Sequence, residues 1–543
     1  MSKRKLLVTS ALPYANGSIH LGHLVEHIQT DIFVRFQKLI GNTCHYMCAD
    51  DAHGTAIMLS AKKQGVSPEE YIKAIREEHI ADFKAFHIDH DHYHTTHSAE
   101  NQQLSEDIYL KAKAAGAIKE ADIEQYFCEQ TNLFLADRYI KGTCPKCDAT
   151  DQYGDACEKC FATYDATELK NPVSVYSGKA PILKSSRHYF FDLAQFEQVI
   201  TQWLAQDHVI DSVKNKLKEW LDQGLKRWDI SRDAPYFGFT IPGTTDKYFY
   251  VWLDAPVGYI ATTQSWCNQT NLLSLDDIWR SNDYEIHHFI GKDILYFHTL
   301  FWPAMLSVAN YQLPKKVHVH GFLTVNGEKM SKSRGTFILA KTYAEHLNPE
   351  FLRYYYASKL TPSMDDIDLN FADFMHKINS DVCGKVINIA SRLGSIVHKR
   401  CSGKLTDIPA SADTLLASIQ SKKDTIQALY ENLEFNKAMK EIMACADLAN
   451  QYIDQQAPWA IAKENPKAAA DICTAGINAC RLLMIYLKPV IPKIVEQFEE
   501  FIQSKPMYWL DLNQLVTNQD ILAYKHLASR LDKIPDQIIA SSS

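Results

Sequence analysis

The sequence predicts an α/β protein in which a parallel-sheet domain is split by an insertion and followed by a bundle of α-helices. Three observations carry that prediction. A strand pattern near the N-terminus gives way to a helix and then to a second strand; the same alternation resumes after about residue 247, beyond a cysteine-bearing segment; and from about residue 375 the strand signals fade into long helical stretches.

Lys5-Leu-Leu-Val-Thr-Ser10 is short, apolar and followed by the Pro13 to Gly17 cluster, so it reads as a strand and a turn. Leu21, Leu24, Val25, Ile28, Ile32, Phe36 and Leu39 then follow helical spacing, and Gly41 with Asn42 stops the helix. Thr43 to Ala49 is a second strand, running directly into Asp50-Asp-Ala-His-Gly54. The unit is βαβ. Past the insertion, Tyr248–Trp252, Glu285–Ile290 and Lys316–His320 are strand-like, with a helical pattern from Asp293 to about Val308. Asn326-Gly327 marks a hairpin turn. Ile387, Ile389, Leu393, Ile396 and Val397, then Leu415 to Leu433 and Ile472 to Leu487, supply the helical bundle. The expected divisions are 1–115 and 235–323 for the two halves of the sheet domain, 116–234 for the insertion, 324–385 for a connecting region and 386–543 for the helices.

Composition sets the class. The 543 residues are 46% hydrophobic and 22% charged, with no signal-peptide pattern and no apolar run that reads as a membrane span. Thirteen cysteines, scattered apart from one cluster, suit a reducing cytoplasm. A net charge of −8 gives no global nucleic-acid footprint and excludes none locally. The cluster comprises Cys144-Pro-Lys-Cys147 and Cys157-Glu-Lys-Cys160, two C-x2-C knuckles nine residues apart. Four thiolates turned to one point satisfy tetrahedral Zn2+ and leave no open position, so the expected site is structural; paired disulfides are the alternative.

In an open α/β sheet, ligands bind outside the carboxyl ends of the strands. Tyr14 to His23, Asp50 to Gly54 and Gly291-Lys-Asp293 bring polar groups to such ends. The loop Lys329-Met-Ser-Lys-Ser-Arg-Gly335 adds three basic groups and two hydroxyls suited to a polyphosphate.

His20-Leu-Gly-His23 with Lys329-Met-Ser-Lys-Ser333 resembles the signature pair of class I aminoacyl-tRNA synthetases. Ala11-Leu-Pro-Tyr-Ala-Asn-Gly17, Cys48-Ala-Asp-Asp-Ala-His-Gly54, the paired knuckles, Trp228-Asp-Ile-Ser-Arg-Asp-Ala-Pro-Tyr236, Val251-Trp-Leu-Asp-Ala-Pro-Val-Gly-Tyr259 and Gly291-Lys-Asp-Ile-Leu-Tyr-Phe-His298 extend the resemblance to the methionyl-tRNA synthetase family over nearly the whole chain. The resemblance implies a split Rossmann-type parallel-sheet catalytic domain, a zinc-knuckle insertion, a stem-contact-like connecting region and an α-helical anticodon-binding domain. It implies that methionine and ATP, with Mg2+, form methionyl-adenylate, and that the methionyl group passes to the 3′ end of tRNA(Met).

Residue by residue, it implies that His20, His23, Lys329 and Lys332 are catalytic, with His20, Gly22, His23 and Lys332 at the ATP and Gly335 easing the motion of the lysine loop. Ala11, Leu12, Tyr14, Trp252, Ala255, Pro256, Tyr259, Ile294 and His298 would line the methionine pocket. Asp51 would bind the substrate ammonium. An apolar, aromatic-walled pocket suits a thioether. One missing methyl is worth only about 1–3 kcal/mol, so editing against homocysteine is expected. Asn388 and Arg392, four apart on one helix, and Trp459 after Pro458 match the anticodon contacts; for Trp459 a core role is the competing reading. The chain stops after the helices, without the appended domain through which some members dimerise, so a monomer is expected. A synthetase for another apolar amino acid, a shorter nucleotidyltransferase with the same histidine loop, and a non-catalytic zinc RNA-binding protein are the rival readings.

Overall fold

The computed structural model describes residues 3–541 except 136–138, 155–156, 158, 161, 163 and 331–336, with the backbone alone at 540 and 541. The first half of the sheet domain contains strands β1 (Lys5–Ser10), β2 (Thr43–Asp50) and β3 (His92–Thr95) and helices α1 (Leu21–Leu39), α2 (Thr55–Gln64), α3 (Pro68–Ala85) and α4 (Ala99–Ala114). Strands Glu285–Gly291 and Lys316–His320 complete a five-stranded sheet in the order Lys316–His320, Glu285–Gly291, β1, β2, β3, parallel throughout. Leu6 is registered against both Glu285 and Cys44.

The order therefore reverses at β1, and a crevice opens there at the carboxyl ends. Both faces of β1 are buried, which explains its unbroken apolar run. Leu6 and Val8 join the core with Leu24, Ile28 and Ile32 of α1, while Leu7 packs on the opposite side with Met47 and Trp302.

The insertion leaves and returns as a long antiparallel ribbon of Ile118–Cys128 against Ile182–Phe191. A small sheet of Ile140–Thr143, Gln152–Tyr153 and Lys170–Ser174 carries the cysteine knuckles.

Two segments differ from the sequence reading. Tyr248–Trp252 is not one strand: only Lys247–Phe249 is extended, and Val251–Thr270 is a 20-residue helix. The aromatic run favours a strand, and Pro256 inside the helix disguises it by removing one ladder N–H. Burial decides the outcome, because Leu253, Val257 and Ile260 pack into the core. Asp293–Val308 is helical but uneven, with a tight turn at Lys292–Ile294, wide turns at Phe297–Phe301 and an α-helix over Trp302–Val308. Pro303 has no N–H with which to continue the regular ladder backwards.

Asn326-Gly327 forms the expected hairpin turn between Leu323–Val325 and Glu328–Lys329, with φ of 49° and 81°. Beyond it lie the helices Asn388–Arg400, Asp413–Gln420, Lys423–Glu431, Phe435–Gln456, Pro466–Leu487 and Pro492–Phe501. Leu415–Leu433 is thus two helices. Pro466–Leu487 is the one described helix long and apolar enough to cross a membrane, although no such run was expected; 89% of its apolar window is buried inside the structure. The fully buried Arg353 joins the helical region to the sheet domain by donating to Asp31 of α1 at 2.7 Å, to the Val490 and Pro489 carbonyls at 2.8 and 2.9 Å, and to the Phe86 carbonyl at 3.2 Å.

Candidate active site

The crevice is a cavity of about 1290 Å³. Every residue anticipated for the amino-acid pocket lines it, as do His20, Gly22, His23 and Lys329. Lys332 and Gly335 lie outside the described residues.

The two histidines begin α1 in an unusual way. His20 is the N-cap: its Nδ1 accepts from the Gly22 N–H at 3.0 Å, and its own N–H donates to His23 Nδ1 at 3.3 Å. A nitrogen that accepts carries no proton, so in each ring the N–H is fixed on Nε2. The rings stack 3.7 Å apart, and burial together with His20 pushes His23 well below the usual histidine range. The pair consequently offers neutral N–H donors at the N-terminus of a 19-residue helix, whose own N–H groups and dipole favour anions. Gly22 is required by the first ring: a Cβ there would lie 2.8 Å from His20 Cε1 and 2.9 Å from Nδ1.

The apolar end of the crevice is built on the helix Val251–Thr270, where Trp252, Ala255, Pro256 and Tyr259 recur at i, i+3, i+4 and i+7 and so share a face. Trp252 stacks on Phe297 with centroids 3.9 Å apart. His298, on the wide turns, bonds through Nδ1 to the Ile294 carbonyl at 3.1 Å, leaving Nε2 to accept from the Tyr259 hydroxyl at 2.8 Å. Burial pushes His298 down to about 4, so this wall is neutral.

Asp51 is tied to the first loop by two backbone bonds, its N–H to the Pro13 carbonyl at 2.9 Å and its carbonyl from the Ala15 N–H at 2.8 Å. Its Oδ1 is buried without a hydrogen-bond partner. Burial, then the neighbouring Asp254, raises Asp51 well above the usual carboxylate range. An ammonium group placed there would restore the charged form.

Sequence reasoning did not assign a role to several lining residues. Glu26 of α1 accepts from His320 Nε2 at 3.2 Å, and Asp229, Arg232, Tyr236, Asp293 and Phe297 also face the cavity. Glu26 carried no sequence signal, because its burial, at 7% exposure, shows only in the fold.

Cys144, Cys147, Cys157 and Cys160 converge, with all four sulfurs within 4.8 Å of one another and none in a disulfide. Cys144–Cys160 and Cys147–Cys157 are 3.8 and 3.6 Å apart. A tetrahedron with Zn–S bonds of about 2.3 Å has edges of about 3.8 Å, so the donor set fits. Backbone N–H groups of Lys146, Lys159 and Cys160 point at the sulfurs at 3.3–3.4 Å, as suits thiolates.

Outside the crevice lining, Asn388 and Arg392 lie on one helix, and the Arg392 guanidinium sits 4.6 Å above the Trp459 ring while donating to Asp454 at 2.8 Å. Trp459 is 45% exposed and is not a core residue.

A split parallel sheet with paired histidines capping its first crossover helix, together with the family model "tRNA synthetases class I (M)" matching residues 6–394, defines a class I aminoacyl-tRNA synthetase. A second model, "Anticodon binding domain of methionyl tRNA ligase", matches residues 405–530. The methionine–tRNA ligase of Dichelobacter nodosus is 54% identical over 537 residues, which span 98% of this chain and 80% of that protein. The chain belongs to the methionyl-tRNA synthetase family. Its fold is similar to that of Mycobacterium tuberculosis methionyl-tRNA synthetase solved with methionyl-adenylate, at a TM-score of 0.79 and 21% identity over 96% of this chain and 99% of that one. The free form of the same enzyme gives a TM-score of 0.73 at 20% identity, over 98% and 99%.

Proposed function

We infer that the crevice activates methionine with ATP and that the chain then passes the methionyl group to the 3′ end of tRNA(Met), the activity of its family. The observation that supports this reading most directly is that one cavity is lined both by the capped histidine pair and by the aromatic pocket ending at Asp51.

The chemistry needs no side-chain nucleophile. Asp51 holds the ammonium, the pocket walls hold the thioether, and the amino acid's own carboxylate attacks the α-phosphorus of ATP. A carboxylate oxygen–phosphorus bond forms as the bond to the bridging oxygen breaks, and pyrophosphate leaves with the electron pair. His20 and His23 donate from Nε2 to phosphate oxygens that gain charge. Lys329 and Lys332 meet the pyrophosphate, and Mg2+ accompanies the ATP. In the second step a 3′-terminal ribose hydroxyl attacks the carbonyl carbon and AMP departs.

Zn2+ held by the four cysteines keeps the insertion folded, and Asn388, Arg392 and Trp459 bind the anticodon. Catalysis is assigned to 1–115 and 235–323, zinc to 116–234, the lysine loop to 324–385 and the anticodon to 386–543. A monomeric cytoplasmic enzyme completes the proposal, and light scattering and cell fractionation test those two points. Release of thiolactone from homocysteine and ATP tests for editing. ATP–pyrophosphate exchange with each amino acid in turn tests the central reading: exchange is expected with methionine, and its absence refutes the assignment.

A further inference from the structure

His79 of α3 is fully buried, and both of its ring nitrogens face acceptors. Nδ1 lies 2.7 Å from Asp50 Oδ1 and Nε2 lies 2.8 Å from the Gly17 carbonyl oxygen. A carbonyl has no proton to give, and Asp50 Oδ1 already accepts from the Tyr93 hydroxyl at 2.5 Å. Both contacts are hydrogen bonds only when the ring donates twice, as an imidazolium.

The two acceptors belong to different parts of the site. Asp50 ends β2 and precedes Asp51, whereas Gly17 lies in the loop that runs from Pro13 to His20. The same helix holds that loop a second time, through the Tyr71 hydroxyl on the Asn16 carbonyl at 3.1 Å.

We propose that His79 is a positioning residue for adenylate formation: donating from both ring nitrogens, it ties the Gly17 carbonyl to Asp50 and so sets the histidine pair against the ammonium-binding Asp51. The proposal rests on the assignment of His20 and His23 to the triphosphate.

The groups facing His79 come from four elements: Asp50 on β2, Tyr93 on β3, His23 and His27 on α1, and Glu78 and Asp82 on α3 itself. Burial opposes the charge, but the bond to Asp50 and the Gly17 carbonyl outweigh it and raise His79 above the ordinary 6.5. A charged His79 also helps to keep its neighbours His23 and His27 neutral. The sign follows. The clamp is complete below the ordinary 6.5 and is lost as pH rises through the elevated value.

The test is ATP–pyrophosphate exchange by the full chain at saturating methionine, with KM for ATP followed from about pH 6 to 9. In the unmodified protein KM for ATP is expected to rise as His79 loses its proton. H79Q should raise KM for ATP by about tenfold at the acid end and abolish that rise, because a displaced loop misaligns the reacting groups. Methionine affinity, read from tryptophan fluorescence, should stay within about twofold. D50N keeps the ring but removes the carboxylate, so it should move the rise to lower pH; it carries the test alone if H79Q does not fold. An ATP KM in H79Q equal to that of the unmodified protein, an equal loss of methionine affinity, or a D50N profile superimposable on the unmodified one overturns the proposal. H20A separates the two levels of inference: undiminished exchange in H20A defeats the assignment of the histidine pair itself, whatever H79Q does.

Discussion

Replacing Trp459 by alanine separates tRNA recognition from amino-acid activation. The ring keeps 45% of its surface exposed, and its marked partner is the Arg392 guanidinium 4.6 Å above it. An exposed cation–π pair is worth about 0.5–1 kcal/mol, so little of the fold depends on this side chain. A nucleic-acid base stacked on it is worth about 1–3 kcal/mol, which is a factor of about 5 to 150. We expect kcat/KM for tRNA(Met) to fall by that factor in W459A, while methionine-dependent ATP–pyrophosphate exchange is unchanged and Tm falls by no more than about 4 °C. Aminoacylation and exchange are measured on the same preparation. A parallel collapse of both, or unchanged charging, refutes the reasoning.

Other expectations follow from the same geometry. Gly22→Ala drives a Cβ into the His20 ring, so exchange should fall about 10- to 100-fold with the circular dichroism spectrum intact; a fully active variant would show that the ring position is immaterial. Elemental analysis should find one zinc per chain, lost in Cys147→Ser together with rapid proteolysis inside the insertion, and retention of the metal would defeat the four-cysteine assignment. Acid should unfold the protein early. Burial pushes His87, His90, His92 and His298 each down to about 4, so between the ordinary 6.5 and that value the unfolded chain takes up protons that the folded one refuses. Stability falls as pH falls across that window, opposed there by the raised Asp51, Asp82 and Glu350, whereas the raised His79, His188 and His320 act only above 6.5; a Tm that is flat from pH 6.5 to 4 would contradict this.

The strands β1 and β2 were readable because each is a short apolar run between turn residues, and a central parallel strand has no polar face to confuse the pattern. The helix Val251–Thr270 was not readable. Its first turns carry aromatic, β-branched and proline residues, and only tertiary burial makes them helical. The site residues of the signature loops could be named from sequence, but their protonation could not. Which nitrogen of His20, His23 or His298 holds the proton depends on a backbone N–H or carbonyl that only folding supplies. Glu26 and His320, 294 positions apart, illustrate the same barrier: neither is remarkable until the sheet brings them to 3.2 Å.

The central position of β1 has a consequence for synthesis on the ribosome. Its neighbours are β2, made at once, and Glu285–Gly291, made some 280 residues later. At roughly 5–20 residues per second, the open edge of β1 waits about 15 to 60 s for its partner. Any product released before that strand emerges lacks one flank of its own sheet and exposes the edge of β1, able to pair with other chains.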